Sequence, residues 1–290
     1  MRRVLPRTAP GLLLAWVLVV GIVTNVQAQS PWVRSKAGFY LQAAWQTIPR
    51  YAALYGATGD EQPLDRRLTE TTLQLYGEYG VTRYTTVVVS LPFRFQQAGA
   101  FLQNTPAPLT SSGTLSGLGN ASLGLRHSIL RGDWPLTGFL RVDLPVNRFN
   151  DLAGLRTGYR SLTVLPMLST GQGYAKAYWF AYAGYALRTR DYNAYTNAGV
   201  EAGYHFRKVW AIAFSELMLP TASNNRPDLS ANNLRTGLYV HDQGYWAFGL
   251  KSIFEIHRFW GLTASAAGAG WGQLVPQRPA FGLGAYFKWD

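Results

Sequence analysis

The sequence predicts an all-β protein, a transmembrane antiparallel up-and-down β-barrel of twelve strands with short turns at one end and long loops at the other. Three observations lead there. First, only 14% of the 290 residues are charged, while 17 Tyr, 14 Phe and 10 Trp stand among 30 Gly. Soluble domains carry roughly 25% charged residues, so this surface is not built mainly for water. Second, apolar side chains recur at every second position in segments of about ten residues, the length of a tilted membrane-crossing strand. Third, the connections between those segments alternate short and long. The formal charge of +12 invites a nucleic-acid reading, and zero cysteines exclude a disulfide scaffold, thiolate metal sites and cysteine nucleophiles.

The N-terminus reads as an address. Arg2, Arg3 and Arg7 precede an apolar stretch over residues 11–23, and Val26-Gln27-Ala28 offers small residues at the cleavage positions. The apolar stretch is too short to span a bilayer, which takes about 20 residues. Residues 1–28 are therefore expected to be a cleaved signal peptide and residues 29–290 the barrel domain. Cleavage removes three arginines and no acid, leaving 24 basic against 15 acidic residues, or +9.

The strands follow in order. Phe39, Leu41, Ala43 and Trp45 share one face against Tyr40, Gln42, Ala44 and Gln46. Leu73, Leu75 and Tyr79 oppose Thr72, Gln74, Tyr76 and Glu78, and Val87, Val89, Leu91, Phe93 and Phe95 oppose Thr86, Val88, Ser90 and Arg94. Leu123, Leu125, His127 and Ile129 oppose Ser122, Gly124, Arg126 and Ser128, and Trp246, Phe248, Leu250 and Phe254 oppose Gly249, Lys251 and Glu255. A soluble sandwich alternates too, so the connections decide. Residues 80–84, 131–135, 171–173, 206–209 and 257–260 make short turns, whereas 49–68, 96–117, 145–158 and 220–244 make long polar or Pro-rich loops. That rhythm belongs to bacterial outer-membrane barrels, with tight periplasmic turns and longer outer loops.

Aromatics mark the short turns. Tyr84, Trp134, Tyr174, Trp210 and Trp260 are expected to form the periplasmic girdle. In the last strand Phe281, Phe287 and Trp289 fall on one face, as in an outer-membrane assembly signal, although Asp290 follows. Twelve strands are counted near residues 38–48, 69–79, 85–95, 118–130, 136–144, 159–169, 174–187, 194–205, 210–219, 245–256, 261–270 and 280–289. A further segment, 234–241, is assigned to an outer loop, because bacterial single-chain barrels have even counts; fourteen strands is the alternative. Residues 29–37 are too few for a plug domain but long enough to tuck into the lumen.

The run Ser116-Gly117-Leu118-Gly119-Asn120-Ala121-Ser122-Leu123-Gly124-Leu125-Arg126 resembles a Gly-Leu-Gly-Asp core followed by an alternating strand. That motif marks outer-membrane barrel transporters of the "MetA pathway of phenol degradation" type, distantly like fatty-acid channels. Tyr79-Gly80-Val81-Thr82, Val89-Ser90-Leu91-Pro92-Phe93 and Val142-Asp143-Leu144-Pro145 agree with it. The resemblance covers about residues 70–170 and, more weakly, 260–287. Asn120 departs from the family's Asp, and Val146-Asn147 from its Thr-Gly. The resemblance implies passage of small aromatic or apolar compounds and names no solute.

The lumen is expected to hold Gln74, Tyr76, Glu78, Arg94, Arg126, Arg141, Asp143, Glu201 and Lys251. Two roles remain open for them. A basic track guides anions through a narrow low-dielectric passage; alternatively, cations pair with nearby carboxylates and fill the interior. The register at Arg160, Lys176 and Glu216 is not decided by alternation. Among four histidines, only the His241-Asp242 pair lies in a long outer loop, and it has no nucleophile beside it in sequence. No His/Asp/Glu spacing fits a metal, and no cofactor is expected. The dispersed cations suit lipid headgroups rather than nucleic acid. The expected partners are outer-membrane lipid and lipopolysaccharide, the barrel-assembly machinery and a small solute. Channel, non-transporting surface barrel (adhesin or exopolysaccharide machinery) and barrel enzyme all stand at this point, the channel ahead.

Overall fold

A computed structural model describes residues 29–56, 58–102, 110–221 and 227–290; the expected signal peptide, residues 1–28, lies outside them. The chain forms β1 (Phe39–Tyr55), β2 (Glu61–Gly80), β3 (Thr85–Phe101), β4 (Gly113–Leu118), β5 (Ala121–Leu130) and β6 (Leu136–Leu144). Short strands β7 (Phe149–Asn150) and β8 (Leu155–Arg156) pair inside a loop. Then come β9 (Thr163–Gly173), β10 (Ala177–Arg188), β11 (Tyr195–Phe206), β12 (Val209–Pro220), helix α1 (Ala231–Thr236), β13 (Gly244–Glu255), β14 (Trp260–Gln273), β15 (Val275–Pro276) and β16 (Ala280–Trp289).

Each barrel strand pairs antiparallel with its sequence neighbours, and the ring closes where β1 meets β16 in register from Phe39↔Trp289 to Thr47↔Phe281. Twelve strands make the wall, β4 continuing the line of β5 and β15 adding to the outer end of β1. Closure leaves no strand edge in lipid, where unpaired backbone groups cost several kcal/mol each.

Alternation works as physical chemistry requires. On β5, Leu123, Leu125 and His127 point outward while Ser122, Gly124, Arg126 and Ser128 are buried. Apolar side chains such as Leu250 and Leu283 stay exposed around the whole wall; a continuous outward apolar band on a closed barrel is a membrane-spanning surface. Inward-facing Gly124 and Gly199 exist for space, since a Cβ there would overlap Phe139 and Tyr182, whose rings lie over them from the adjacent strands β6 and β10.

Several boundaries differ from the sequence expectation. The 49–68 loop is mostly strand, because β1 runs on through Pro49 by way of register shifts between Ile48 and Tyr51 and between Tyr51 and Ala53. Beyond the lipid neither face of a strand needs to be apolar, so this extension carries charges and looks like a loop in sequence. The 96–117 loop shrinks from both ends as β3 reaches Phe101 and β4 starts at Gly113. The strand expected over 118–130 breaks at Gly119-Asn120. The turn expected at 171–173 falls instead at 174–176, because Gly171, Gln172 and Gly173 keep their ladder partners on β10.

The segment 234–241 adds no strand. It contributes to α1, capped by Ser230, whose Oγ accepts from Asn233 N–H at 3.1 Å, and ended by Gly237 at φ 65°. The loop after α1 packs Leu238 and Tyr239 into an apolar cluster with Ile48, Tyr51, Leu54 and Leu155 at the outer end. At the other end residues 29–37 enter the lumen, with Gln29 buried. Trp32 sits edge-on against Tyr178 at 5.7 Å and Phe180 at 6.0 Å.

Candidate functional site

The interior divides into an inner cavity of about 460 Å³ and an outer one of about 160 Å³. Between them Tyr76, Phe139, Met167, Tyr195 and Met218, with Tyr182 and Tyr245, form a packed belt across the barrel. The inner cavity has an aromatic wall of Trp32, Tyr40, Tyr178, Phe180 and Trp210, faced by small residues such as Ala44, Thr263, Ser265 and Gly282. Strands β1, β14 and β16 supply that second wall, and their small inward side chains create the room.

The nine lumen residues expected from sequence all lie on the inward side of their strands and are bound into local clusters. Glu78 accepts from Arg34 Nε at 2.7 Å, Arg126 Nη1 at 3.1 Å and Tyr76 Oη at 2.6 Å. Burial opposes the Arg34 charge, but the Glu78 carboxylate outweighs it and raises the guanidinium pKa. Arg94 pairs with Glu70 at 2.5 Å, and Arg141 Nε lies 3.0 Å from Asp143 Oδ1. Lys251 pairs with Glu201, which also accepts from Tyr178 Oη at 2.7 Å. Gln74 Nε2 donates to Ser90 Oγ at 2.6 Å. Of the two roles left open by the sequence, this geometry matches paired filling rather than a row of free cations. Desolvated charges of this kind are tolerated because each has a partner.

Tyr84, Trp134, Tyr174 and Trp260 are exposed at the short-turn end. Trp210 corrects the girdle expectation. It shares the inward side of β12 with Ile212 and Phe214, lines the inner cavity, and stacks on His205 at 4.7 Å and near Tyr178 at 5.3 Å. Both faces of that strand are apolar, so alternation did not reveal which one faced in. Phe281, Phe287 and Trp289 point outward on β16.

Asn120 does different work from a carboxylate. Its Nδ2 donates to Leu144 O at 3.2 Å and Tyr159 O at 2.9 Å, while its Oδ1 accepts from Tyr159 N–H at 2.7 Å. The amide thus ties the break between β4 and β5 to the loop that enters the outer cavity, and an Asp would have lost both donations. In that loop burial raises the Tyr159 phenol to about 12, so it stays a neutral donor, here to Gln243 Oε1 at 2.7 Å.

The sequence reading missed other interior groups. Tyr239 Oη reaches Glu70 Oε1 at 2.5 Å, and Glu216, on a strand of undecided register, accepts from Asn197 at 3.1 Å and Tyr245 at 3.0 Å. His241 Nε2 lies 3.0 Å from Asp242 Oδ2, whose other oxygen accepts from Asn193, so the pair ties the α1 loop to the β10–β11 connection. Among the described residues no group of three or more His, Asp or Glu is arranged to hold a metal ion.

No family model and no curated protein matches this chain. Solved structures do. An outer-membrane channel from Pseudomonas putida F1 is similar at TM-score 0.69 and 12% identity, over 91% of this chain and 100% of that one. The translocator domain of the autotransporter NalP from Neisseria meningitidis follows at TM-score 0.51 and 10% identity, over 88% and 90%. The β domain of the Bordetella autotransporter BrkA gives 0.50 and 13%, over 88% and 100%. These likenesses show the fold: the chain is built as a closed antiparallel β-barrel like those outer-membrane proteins. The resemblance of the 116–126 run is not extended to a family by any of them.

Proposed function

We propose that the chain is an outer-membrane channel for small organic solutes, closed in this conformation at both ends. The observation that carries this reading is the pair of cavities stacked along the lumen, one at each end of the aromatic belt. Protein interiors are normally filled to crystal-like density. A barrel that served only to display loops would gain nothing from leaving about 460 Å³ beside an aromatic wall. Each closure is a segment added to the barrel and not part of its wall: residues 29–37 at the inner mouth, the α1 loop at the outer. Such additions are able to move while the ladder stays intact.

A non-transporting surface barrel is the second reading, favoured by the closure of both mouths. Swelling of liposomes containing refolded residues 29–290 separates the two. The wild type is expected to pass solutes slowly, and a variant lacking residues 30–36 to pass small sugars and organic acids several-fold faster. A folded variant that combines this deletion with Tyr239→Ala, so that neither closure is left, and still remains impermeable overturns the channel and leaves the surface barrel.

We also infer that residues 1–28 are removed on export and that Phe281, Phe287 and Trp289 present the outward face of the last strand to the assembly machinery. The burial of Gln29 inside the wall supports a mature N-terminus there. The intact mass of membrane-extracted protein is expected to equal that of residues 29–290; a mass retaining residues 1–28 refutes it.

A further inference from the structure

We propose that Arg188 is the anchor of a binding site for a small organic carboxylate, placed where the outer surface meets the outer cavity. This deepens the channel reading and rests on it for the site's purpose, though not for its existence.

The argument begins with the interior cations. Four of those that line the two cavities have a carboxylate: Arg34 with Glu78, Arg94 with Glu70, Arg141 with Asp143 and Lys251 with Glu201. Arg188 lines the outer cavity as well, and among the described residues no carboxylate pairs with it. Its Nε and Nη1 are shut off from solvent and make no hydrogen bond. The guanidinium stands over two tyrosine rings, Tyr159 at 4.5 Å and Tyr195 at 4.3 Å. Those rings hold the cation in place but are weak acceptors for its N–H groups. Leaving donors of a charged group desolvated and unpaired is costly, and an orphan of that kind in a folded chain calls for an explanation.

Its position supplies one. Arg188 ends β10, and it also lines a second hollow of about 380 Å³ formed with residues 190–194 and Thr221. One side chain therefore borders both the outer cavity and a hollow on the β10–β11 connection. That connection is held in a demanding shape, with Arg190 at φ 59° and Asp191 at φ 60°, the left-handed region that non-glycine residues rarely enter.

The ligand class follows from the donor. A guanidinium presents paired N–H groups that match the two oxygens of a carboxylate, and the flanking tyrosines suit an organic body rather than a bare ion. The carboxylates of the outer cavity do not cancel this. Glu70 and Asp143 are occupied by their own arginines, and Glu216 accepts from Asn197 and Tyr245. Glu216 also lies deeper: it pairs through Gly199 with the level of Tyr182, six residues before Arg188 and so about 20 Å away along the strand. Asp191, in the outer hollow, sits next to Arg190 in the chain.

Benzoate and its neutral isostere benzamide, titrated calorimetrically at low ionic strength into refolded residues 29–290 in detergent, test the site. Benzoate is expected to bind saturably and benzamide at least roughly tenfold more weakly, the ratio a charge-assisted hydrogen bond supplies. Arg188→Gln is expected to lose benzoate by a similar factor while Arg188→Lys retains part of it and Arg258→Gln, on the short turn between β13 and β14 at the opposite end of the barrel, leaves it unchanged, with heat-modifiable gel mobility confirming closure of each variant. Equal binding of the two compounds, no saturable benzoate binding, or a folded Arg188→Gln that binds like the wild type each overturns the proposal. If Arg188→Gln fails to fold, the benzoate-to-benzamide ratio on the wild type still decides. Benzoate binding in a barrel that stays impermeable in the swelling assay sinks the channel and leaves the site; permeability without benzoate discrimination does the reverse.

Discussion

Glu78→Ala is expected to lower the unfolding free energy by about 3–5 kcal/mol, the cost of stranding a buried charge by deleting its partner. Glu78 is 3% exposed and Arg126 1%. Without the carboxylate, Arg126 keeps among its partners the Trp32 carbonyl at 3.2 Å, the Tyr76 hydroxyl and the Phe139 ring at 5.5 Å, all neutral groups. Arg34 is better placed to escape, since its side chain is 26% exposed and already approaches Asp290. Pairing Glu78→Leu with Arg126→Met should therefore cost less than Glu78→Ala alone, because both members of the desolvated pair are gone. Urea unfolding in lipid vesicles, followed by tryptophan fluorescence, measures this. A loss below about 1 kcal/mol for Glu78→Ala would mean that the inner end is not held by this cluster. The same substitution removes one anchor of the N-terminal segment, its ion pair with Arg34, so increased permeability should accompany the loss of stability.

Tyr239→Ala is expected to open the outer mouth and raise single-channel conductance several-fold. Tyr239 belongs to a loop, not to the wall, and lines the outer cavity from there. Its hydroxyl meets Glu70, Arg94 stands over its ring at 4.6 Å, and Tyr159 packs edge-on at 5.2 Å. The loop beneath is clamped by Asn233 Nδ2 to Leu238 O at 2.7 Å and by Thr236 Oγ1 to Gly154 O at 2.6 Å. Truncating the ring removes a buried aromatic worth about 3–5 kcal/mol locally and joins the outer cavity to the mouth. The Arg94–Glu70 pair survives, so the barrel should still close. Tyr239→Phe deletes only the hydrogen bond to the carboxylate and should leave conductance near wild type. Planar-bilayer recordings of the three proteins decide the matter; a Tyr239→Ala variant that conducts like the wild type would remove this loop from gating.

The wall was legible in the sequence wherever one face met lipid and the other a polar lumen. Around Arg126 and Leu125, or Lys251 and Leu250, the alternation of charge and hydrocarbon leaves one register possible. Where the lumen itself is aromatic the signal fails. On β10, Tyr178, Phe180 and Tyr182 point inward and Trp179 outward, and nothing in the run AYWFAYAGYALR separates them. For the same reason the sequence does not single out Arg188, at the end of that strand, and suggests the girdle for Trp210. The closures were harder still. Tyr239 sits in a segment without periodicity, and its partners, Glu70 and Arg94, lie far away in the chain. The tuck of residues 29–37 was foreseeable from length alone, but the grip of Trp32 on Tyr178 and Phe180 was not. The outer extensions of β1, β2 and β3 look like loops in sequence because, clear of the hydrocarbon, a strand needs only backbone partners.

The meeting of β1 with β16 also imposes an order in time. Phe39 and Trp289 stand opposite one another although about 250 residues separate them, a contact of the slow, non-local kind. Neighbouring strands are hairpin-linked and can zip early, but until β16 arrives the sheet keeps two raw margins that would template misassembly with other chains. A repeat protein shortened at one end still folds. Here β1 has no other partner for its free side than the ten residues of β16, so loss of that strand yields no smaller pore, only an unfinished one.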